Sequence, residues 1–248
     1  MNWSDEGIVL SARKHGETSA IVTLMTTEHG CHAGLVRGGA GRGARGLYEA
    51  GNFVSADWRA RLEDHLGAYR CELRKSNAAL VLDDPLRLAG LSSACAVTER
   101  ALPEREPHPE HYRSLSALLA AIEEDNWIQR YVFWELRILA DLGFGLDLSV
   151  CVATGSPDHL IYVSPKSGQA VSEEAGAPYE QKLLPLPSFL LGKEAETDPP
   201  SPRDLAKGLE LTGYFLERQV FIHHKSGSPA ARTRFVDRLV QKATISSC

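Results

Sequence analysis

Ser19-Ala20-Ile21-Val22-Thr23-Leu24-Met25-Thr26 is the stretch on which the reading of the fold turns. Side chains alternate across a strand, so Ala20, Val22, Leu24 and Thr26 share one face while Ser19, Ile21, Thr23 and Met25 share the other. Ile21 and Val22 blur the alternation, yet the apolar run bounded by His15-Gly16 and His29-Gly30 reads as a strand. Outward from it, Gly7–Arg13, Cys31–Arg37, Asn52–Arg61 and Gly67–Leu73 read as further short strands, with a glycine-rich loop between the third and the fourth. Five strands in about 70 residues leave no room for crossover helices. The expectation is an antiparallel sheet that closes on itself, an OB-type barrel being the commonest small solution.

The period changes at Asp84. Pro85 to Leu102 is predicted helical, with Asp84 as N-cap and proline at the first helical position, where its missing N–H costs nothing. Pro103, Pro107 and Pro109 enforce a break, and Pro109 to Ile122 carries an apolar stripe of Tyr112, Leu115, Leu118, Leu119 and Ile122. Asn126 with Gln129 resembles a capping box opening a third helix, through Leu142 to Gly143. Its face of Trp127, Tyr131, Trp134, Ile138 and Leu142 marks it as the centre of a second core. Leu160–Val163 and Gln169–Ser172 read as a small strand pair around Ser164-Pro165-Lys166-Ser167-Gly168. The proline-rich stretch Leu184 to Pro202 contains a linker, and helices are expected from Ser201-Pro202 to about Val220 and from Ser228-Pro229 to about Lys242.

Composition narrows the class. The 248 residues are 43% hydrophobic, 24% charged and 7% aromatic, which suits a folded globular chain and removes disordered, collagen-like and coiled-coil readings. No run of 18 uncharged apolar residues is present, and Asp5 and Glu6 stand where a signal peptide would carry Lys or Arg, so a soluble, non-exported protein is expected. Cys31, Cys71, Cys95, Cys151 and Cys248 are scattered without a C-x-x-C pair, as suits a reducing cytosol. The net charge of −5 hides an uneven layout. Residues 37–75 hold 8 Lys or Arg against 5 Asp or Glu, residues 81–150 hold 6 against 12, and residues 218–248 hold 6 basic side chains against Asp237 alone. Basic ends around an acidic middle let part of the surface meet an anionic polymer.

The loop Arg37-Gly38-Gly39-Ala40-Gly41-Arg42-Gly43-Ala44-Arg45-Gly46 contains a literal G-x-G-x-x-G. A dinucleotide fingerprint needs a helix directly after the glycines, whereas Leu47 to Val54 holds Gly51 and turns into a strand, and no Gly-Lys-Ser/Thr comes after them for a phosphate-binding P-loop. Two readings stand: a mobile arm whose arginines meet phosphates, or an ordinary solvated hairpin loop. Arg59, Arg61, Arg70, Arg74 and Lys75 fall on the last two strands, where Arg59 and Arg61 would point the same way and Trp58 oppositely. A phosphate-contacting row is expected of Arg37, Arg42, Arg45, Arg59, Arg61, Arg70, Arg74 and Lys75. Trp58 reads as core rather than a base-stacking platform, and Tyr69 fits either role. His29 with His32, His108 with His111 and His223 with His224 lack a third ligand at metal spacing. H-E-x-x-H and G-x-S-x-G are absent, so no catalytic residues are assigned.

Several segments carry a family resemblance. Glu6-Gly7-Ile8-Val9-Leu10, His15-Gly16-Glu17-Thr18-Ser19-Ala20-Ile21-Val22 and Leu35-Val36-Arg37-Gly38-Gly39 resemble the opening of the bacterial RecO recombination mediators. Glu135-Leu136 through Leu142-Gly143-Phe144-Gly145-Leu146-Asp147-Leu148 with Cys151, and Tyr162-Val163-Ser164-Pro165-Lys166-Ser167-Gly168, resemble the family's later segments. The resemblance implies an α+β chain: an N-terminal OB-fold, a helical domain and a small zinc ribbon with four cysteines. It implies a cytoplasmic, nucleoid-associated, non-enzymatic protein that binds single- and double-stranded DNA and anneals complementary strands. It further implies contact with the tail of the single-strand-binding protein SSB, complex formation with RecR, and help in loading RecA. Domains are expected at 1–80, 81–150, 151–178 and 179–248, the last packing with the second. Here the chain departs from the family pattern: Cys151 stands at the first zinc-ligand position, but Thr154, Ser172 and Ala175 take the other three. One thiolate cannot hold structural zinc, so no metal and no cofactor is expected, the ribbon surviving by packing of Leu160, Tyr162, Val163 and Val171. The SSB tail, acidic and apolar, would need an apolar pocket with a basic lip; Phe215, Arg218, Arg232 and Arg234, with Tyr214, Phe221, Phe235 and Arg238, are candidates, or else form a helix core with a solvated basic face. An RNA-binding or ribosome-associated OB protein would use the same arginines, and a nucleotide-dependent enzyme would bind ATP.

Overall fold

The computed structural model describes residues 1–192, 199–222 and 227–245. Contacts divide the chain into two compact units, Met1–Glu124 with Pro229–Phe235, and Asp125–Ser228 with Val236–Cys248. In the first, β1 (Asn2–His15), β2 (Ser19–Thr26), β3 (Gly30–Val36), β4 (Phe53–Arg59) and β5 (Ala68–Lys75) form a closed barrel in the order β1-β2-β3-β5-β4. Four of its seams are antiparallel, but the β3–β5 seam is parallel, at Leu35 opposite Ala68, so the wholly antiparallel expectation is corrected. Bringing β5 back beside β3 closes the cylinder and leaves no free edge. The first strand starts five residues before the sequence reading placed it, because Asn2 to Ile8 pair with β4 while alternating polar and half-buried side chains hide that strand from a search for apolar runs.

Val9, Ala20, Val22, Leu24, Val36, Val54, Ala56, Trp58 and Tyr69 fill the barrel interior. Ile21 and Met25, on the opposite face of β2, are also buried, which explains the blurred alternation. Their cover includes the helix α3 (Pro85–Ala101) and the segment C-terminal to it. Asp84 caps α3 as expected, accepting from the N–H groups of Leu86 at 2.9 Å and Arg87 at 3.1 Å. The Ser11 hydroxyl donates to Glu99 of α3 at 2.7 Å, and Arg105 N–H donates to the Cys31 carbonyl at 2.8 Å. Gly30 sits at φ +63°, and a Cβ there would lie 1.8 Å from the Glu106 carbonyl oxygen, so the chain after α3 runs directly over β3. The predicted boundary at residue 80 therefore marks a change of period, not the edge of a compact unit: α3 and α4 (Pro109–Ala120) belong with the barrel. A short helix α1 (Arg42–Arg45) occupies the glycine-rich loop, and α2 (Asn77–Leu80) comes after β5.

The second unit is built on α5 (Trp127–Asp141), whose Tyr131, Val132, Ile138 and Leu139 are buried. Asn126 makes no side-chain cap; its side-chain oxygen instead accepts from Arg130 Nε at 3.1 Å, which corrects the capping-box reading. A three-stranded sheet, β7-β6-β8, joins β6 (Leu160–Val163), β7 (Ala170–Ser172) and β8 (Leu184–Pro185), with α6 (Glu173–Gly176) after β7. The third strand is two residues long, too short to leave a periodic signal. Ser201 caps α7 (Pro202–Phe215), accepting from Asp204 N–H at 3.2 Å; the chain then widens into a π-turn over Leu216–Val220 before α8 (Ala230–Ile245). Thr212 of α7 donates its hydroxyl to the buried Glu135 of α5.

Candidate nucleic-acid interface

One face of the barrel stays open. Residues 2–6 of β1 pair with β4 and β4 pairs with β5, in a register that sets Asn2 against Arg59, Ser4 against Asp57 and Asp57 against Arg70. Arg59, Arg70, Arg74 and Lys75 are all exposed there. Arg59 and Arg70 flank a furrow of about 420 Å³ that Asn2, Trp3, Ser4 and Asp57 also line. The Asp57 carboxylate accepts the Ser4 hydroxyl at 2.5 Å and makes no ion pair with either arginine. Arg61 departs from the expected row: β4 ends at Arg59, the Ala60 N–H bonds the Met1 carbonyl, and Arg61 is exposed in the bend beyond.

Arg37, Arg42 and Arg45 are exposed but belong to the other end of β1. Arg42 and Arg45 form the α1 turn, anchored by the Ala40 N–H to the Thr18 carbonyl at 2.9 Å. Arg45 shares a second furrow, of about 300 Å³, with Lys14, a cation the sequence reading passed over because it lies outside the basic stretch 37–75. The eight predicted phosphate contacts thus divide: Arg59 and Arg70 flank the first furrow, Arg74 and Lys75 lie consecutively at the end of β5, Arg37, Arg42 and Arg45 with Lys14 lie elsewhere, and Arg61 stands apart. None of the eight is ion-paired among the described residues.

Trp58 is core: it is 2% exposed, and its indole N–H donates to the Leu66 carbonyl at 3.0 Å. Gly67 at φ +63° lets the loop press onto it, since a Cβ there would lie 2.3 Å from that indole nitrogen. Tyr69 is buried too, its hydroxyl 2.9 Å from His32 Nδ1 and 3.2 Å from the His32 carbonyl. Both contacts are satisfied when Nδ1–H donates to the phenol and the phenol donates to the carbonyl. Burial, then Arg105 and His29, push the His32 pKa down to about 4, so its imidazole is neutral at pH 7. These rings surround Trp3, which stacks on His29 at 4.0 Å and on Trp58 at 5.6 Å between centroids. Asp5 fixes the other side of His29 at 3.1 Å. Burial would raise the Asp5 pKa, but hydrogen bonds from Thr27, Glu28, His29 and Glu6 lower it overall, keeping the carboxylate charged. Sequence reading missed this cluster because Trp3 and Asp5 reach His29 only through the register of β1 on β2 and the turn after β2.

The C-terminal candidates separate by burial. Phe215, Phe221 and Phe235 are buried, as is Arg232, so the aromatic side chains form core and not an open pocket. Arg218 is exposed, its guanidinium 5.0 Å from the Tyr214 ring centroid; Arg234 and Arg238 are exposed on α8. His223 and His224 lie outside the described residues.

Residues 1–76 match the family model described as Recombination protein O N terminal, and residues 82–228 the model described as Recombination protein O C terminal. The chain belongs to the RecO family. It is 50% identical to the DNA repair protein RecO of Rhodospirillum centenum over 248 residues, 99% of this chain and 98% of that one. The DNA repair protein RecO of Rhodospirillum rubrum is 49% identical over 96% of both chains, and that of a Ruegeria species 45% identical over 98% of this chain and 100% of the other. The zinc of RecO ribbons does not fit the residues here. Cys151 is buried, and its sulfur accepts the Ser172 N–H at 3.2 Å. Burial would raise the Cys151 pKa, but hydrogen bonds from the Ser172 and Thr154 side chains and from the Ser172 and Ala153 backbone bring it down to about 6. Thr154 and Ser172 donate to the one sulfur instead of offering ligands beside it, and Ala175 has no ligating atom, a set that offers no four-coordinate site. Among the described residues, no three His, Cys, Asp or Glu side chains converge as a metal site. No described helix is long and apolar enough to cross a membrane.

Proposed function

We infer that this chain is a non-enzymatic mediator of DNA repair and homologous recombination. Its barrel is an OB-fold that holds single- and double-stranded DNA by the phosphates, and the β7-β6-β8 sheet is a zinc ribbon that has lost its metal. The observation that carries the reading is the set of exposed cations without ion-pair partners on the barrel, Arg59, Arg70, Arg74 and Lys75 foremost. Cations left without carboxylates neutralise phosphates and release counterions without reading bases. The usual OB ligand face, on the second and third strands, is unavailable here: β2 is buried on both faces and the segment after α3 crosses β3. The β1-β4-β5 face takes its place. Strands screened from each other but free to pair can anneal, and such a protein helps load RecA onto SSB-coated DNA together with RecR. Burial of Phe215 and Arg232 leaves Arg218 and Arg234 as the exposed members of the set proposed for the SSB tail. The setting is the bacterial cytoplasm, at the nucleoid.

Fluorescence anisotropy with labelled single-stranded DNA at several salt concentrations, with a structured RNA as competitor, tests this. Sub-micromolar, salt-sensitive binding that RNA does not outcompete is expected. Absence of binding at low salt would overturn the DNA reading, and preference for structured RNA would replace it with the RNA-binding one.

A further inference from the structure

We propose that the furrow beside Trp3 and His29 is a receptor for one unpaired base of a single strand, with the flanking phosphates over Arg59 and Arg70. The proposal rests on the DNA-binding reading above and adds to it a base site that phosphate contacts alone do not require.

The furrow measures about 630 Å³ and runs from the amino terminus past Trp3, His29 and His32 to Glu63 and Arg105. It shares Asn2, Trp3 and Trp58 with the furrow that Arg59 and Arg70 flank, so the two are adjacent. Their chemistry differs. The first has exposed arginines. The second is lined by aromatic rings, a neutral imidazole and the carboxylates of Glu28 and Glu63. Its one guanidinium is already engaged, since Arg105 donates to the Glu63 carbonyl and, at 3.0 Å, to that of His65. The amino terminus likewise donates to the Ala60 carbonyl at 2.7 Å, so a phosphate placed there would face two carboxylates and cations already donating to backbone carbonyls. A base suits it: the ring joins the His29–Trp3 stack, and carboxylates accept from ring and exocyclic N–H groups. The stack is held ready by Asp5, which bonds His29 at 3.1 Å and the Glu28 N–H at 2.9 Å. His29 is 30% exposed in its side chain, so a strand reaches it without unfolding the barrel.

The test compares oligothymidylate with an abasic deoxyribose-phosphate strand of equal length, in wild type, His29→Ala, Trp3→Leu and the double variant Arg59→Ala/Arg70→Ala. Wild type is expected to bind the base-bearing strand about tenfold more tightly than the abasic one, a stacking contribution of ordinary size. In His29→Ala that ratio should fall towards one. His29→Ala removes a partly exposed ring from a turn, so it keeps the test valid if Trp3→Leu fails to fold. Equal wild-type affinity for the two strands, or a ratio unchanged in His29→Ala, would overturn the base site. If Arg59→Ala/Arg70→Ala weakens both strands equally while that ratio is unchanged in His29→Ala, the base site fails and the DNA reading stands. Failure of every protein to bind either strand would remove the reading itself.

Discussion

The cations of β4 and β5 differ in their pairing from a set of cations on the helices. On the helices, Arg87 pairs with Asp84 at 3.1 Å, Arg137 with Asp141 at 3.8 Å, Lys207 with Asp204 at 3.5 Å, and Arg113 with Glu110. Each partner is three or four residues away, where a helix turns side chains onto one face. On the barrel, Arg59, Arg70, Arg74 and Lys75 make no ion pair among the described residues, and the nearby Asp57 carboxylate accepts from Ser4. A cation can therefore be neutralised by a carboxylate one helical turn away in one place and stand without an ion pair in another. Charge counts along the chain do not distinguish them; local pairing does.

Several variants break or sharpen that contrast. The largest effect is expected from Trp58→Ala, which removes a side chain 2% exposed from beneath Arg59 and Arg70. It should cost about 3–5 kcal/mol in urea unfolding and lower DNA affinity with it. Leu139→Ala on α5 should cost about 2–5 kcal/mol while leaving the affinity of the folded fraction within about twofold. Next, Arg59→Ala/Arg70→Ala/Arg74→Ala/Lys75→Ala is expected to weaken single-strand binding about a hundredfold at low salt. The slope of log affinity against log salt should drop by about 0.7 per lost contact. Comparable loss on Arg113→Ala/Arg137→Ala would erase the distinction between the regions.

Titrations separate the two regions in another way. His32 has its folded-state pKa depressed from 6.5 to about 4, so the stability it confers is complete above pH 6.5 and is lost as pH falls towards 4. Cys151 has its pKa depressed from 9.0 to about 6, so its contribution is present above pH 9 and fades as pH falls through 6. Denaturation curves of His32→Gln should flatten in the lower window, and those of Cys151→Ala in the upper; a variant as pH-dependent as wild type would refute the corresponding assignment. The smallest effect, less than about fivefold in affinity, is expected of Arg42→Ala/Arg45→Ala. An unchanged salt slope there would show that the α1 turn takes no part in binding.

How much of this was legible depended on whether the signal was local. Ser19–Thr26 announced its strand, and Asp84-Pro85 and Ser201-Pro202 announced their helices, because alternation and capping act within a few residues. The start of β1 at Asn2 was hidden, since its outward Ser4 and Glu6 face β4 partners that only closure supplies. Burial of both faces of β2 was hidden likewise, being decided by α3, more than about fifty residues away in the chain. Every arginine of the candidate site was visible as a residue, but their division was not, because the fourteen-residue β1 holds Arg59 opposite its first residue and the α1 turn beyond its far end. The Trp3–His29 stack had no signature in sequence: its rings are joined by register, not by spacing. Phe215 and Arg232 could be read from sequence only as two alternatives, because a helix carrying aromatic and basic side chains reads alike whether it lines a pocket or fills a core.

The most direct test of the central claim is the salt dependence of single-stranded DNA affinity in wild type beside Arg59→Ala/Arg70→Ala. The open β1-β4-β5 face predicts a steep wild-type slope that becomes shallower by about 1.4 in the variant, the loss of two phosphate contacts. Parallel lines for the two proteins would contradict it and place the phosphates elsewhere on the molecule.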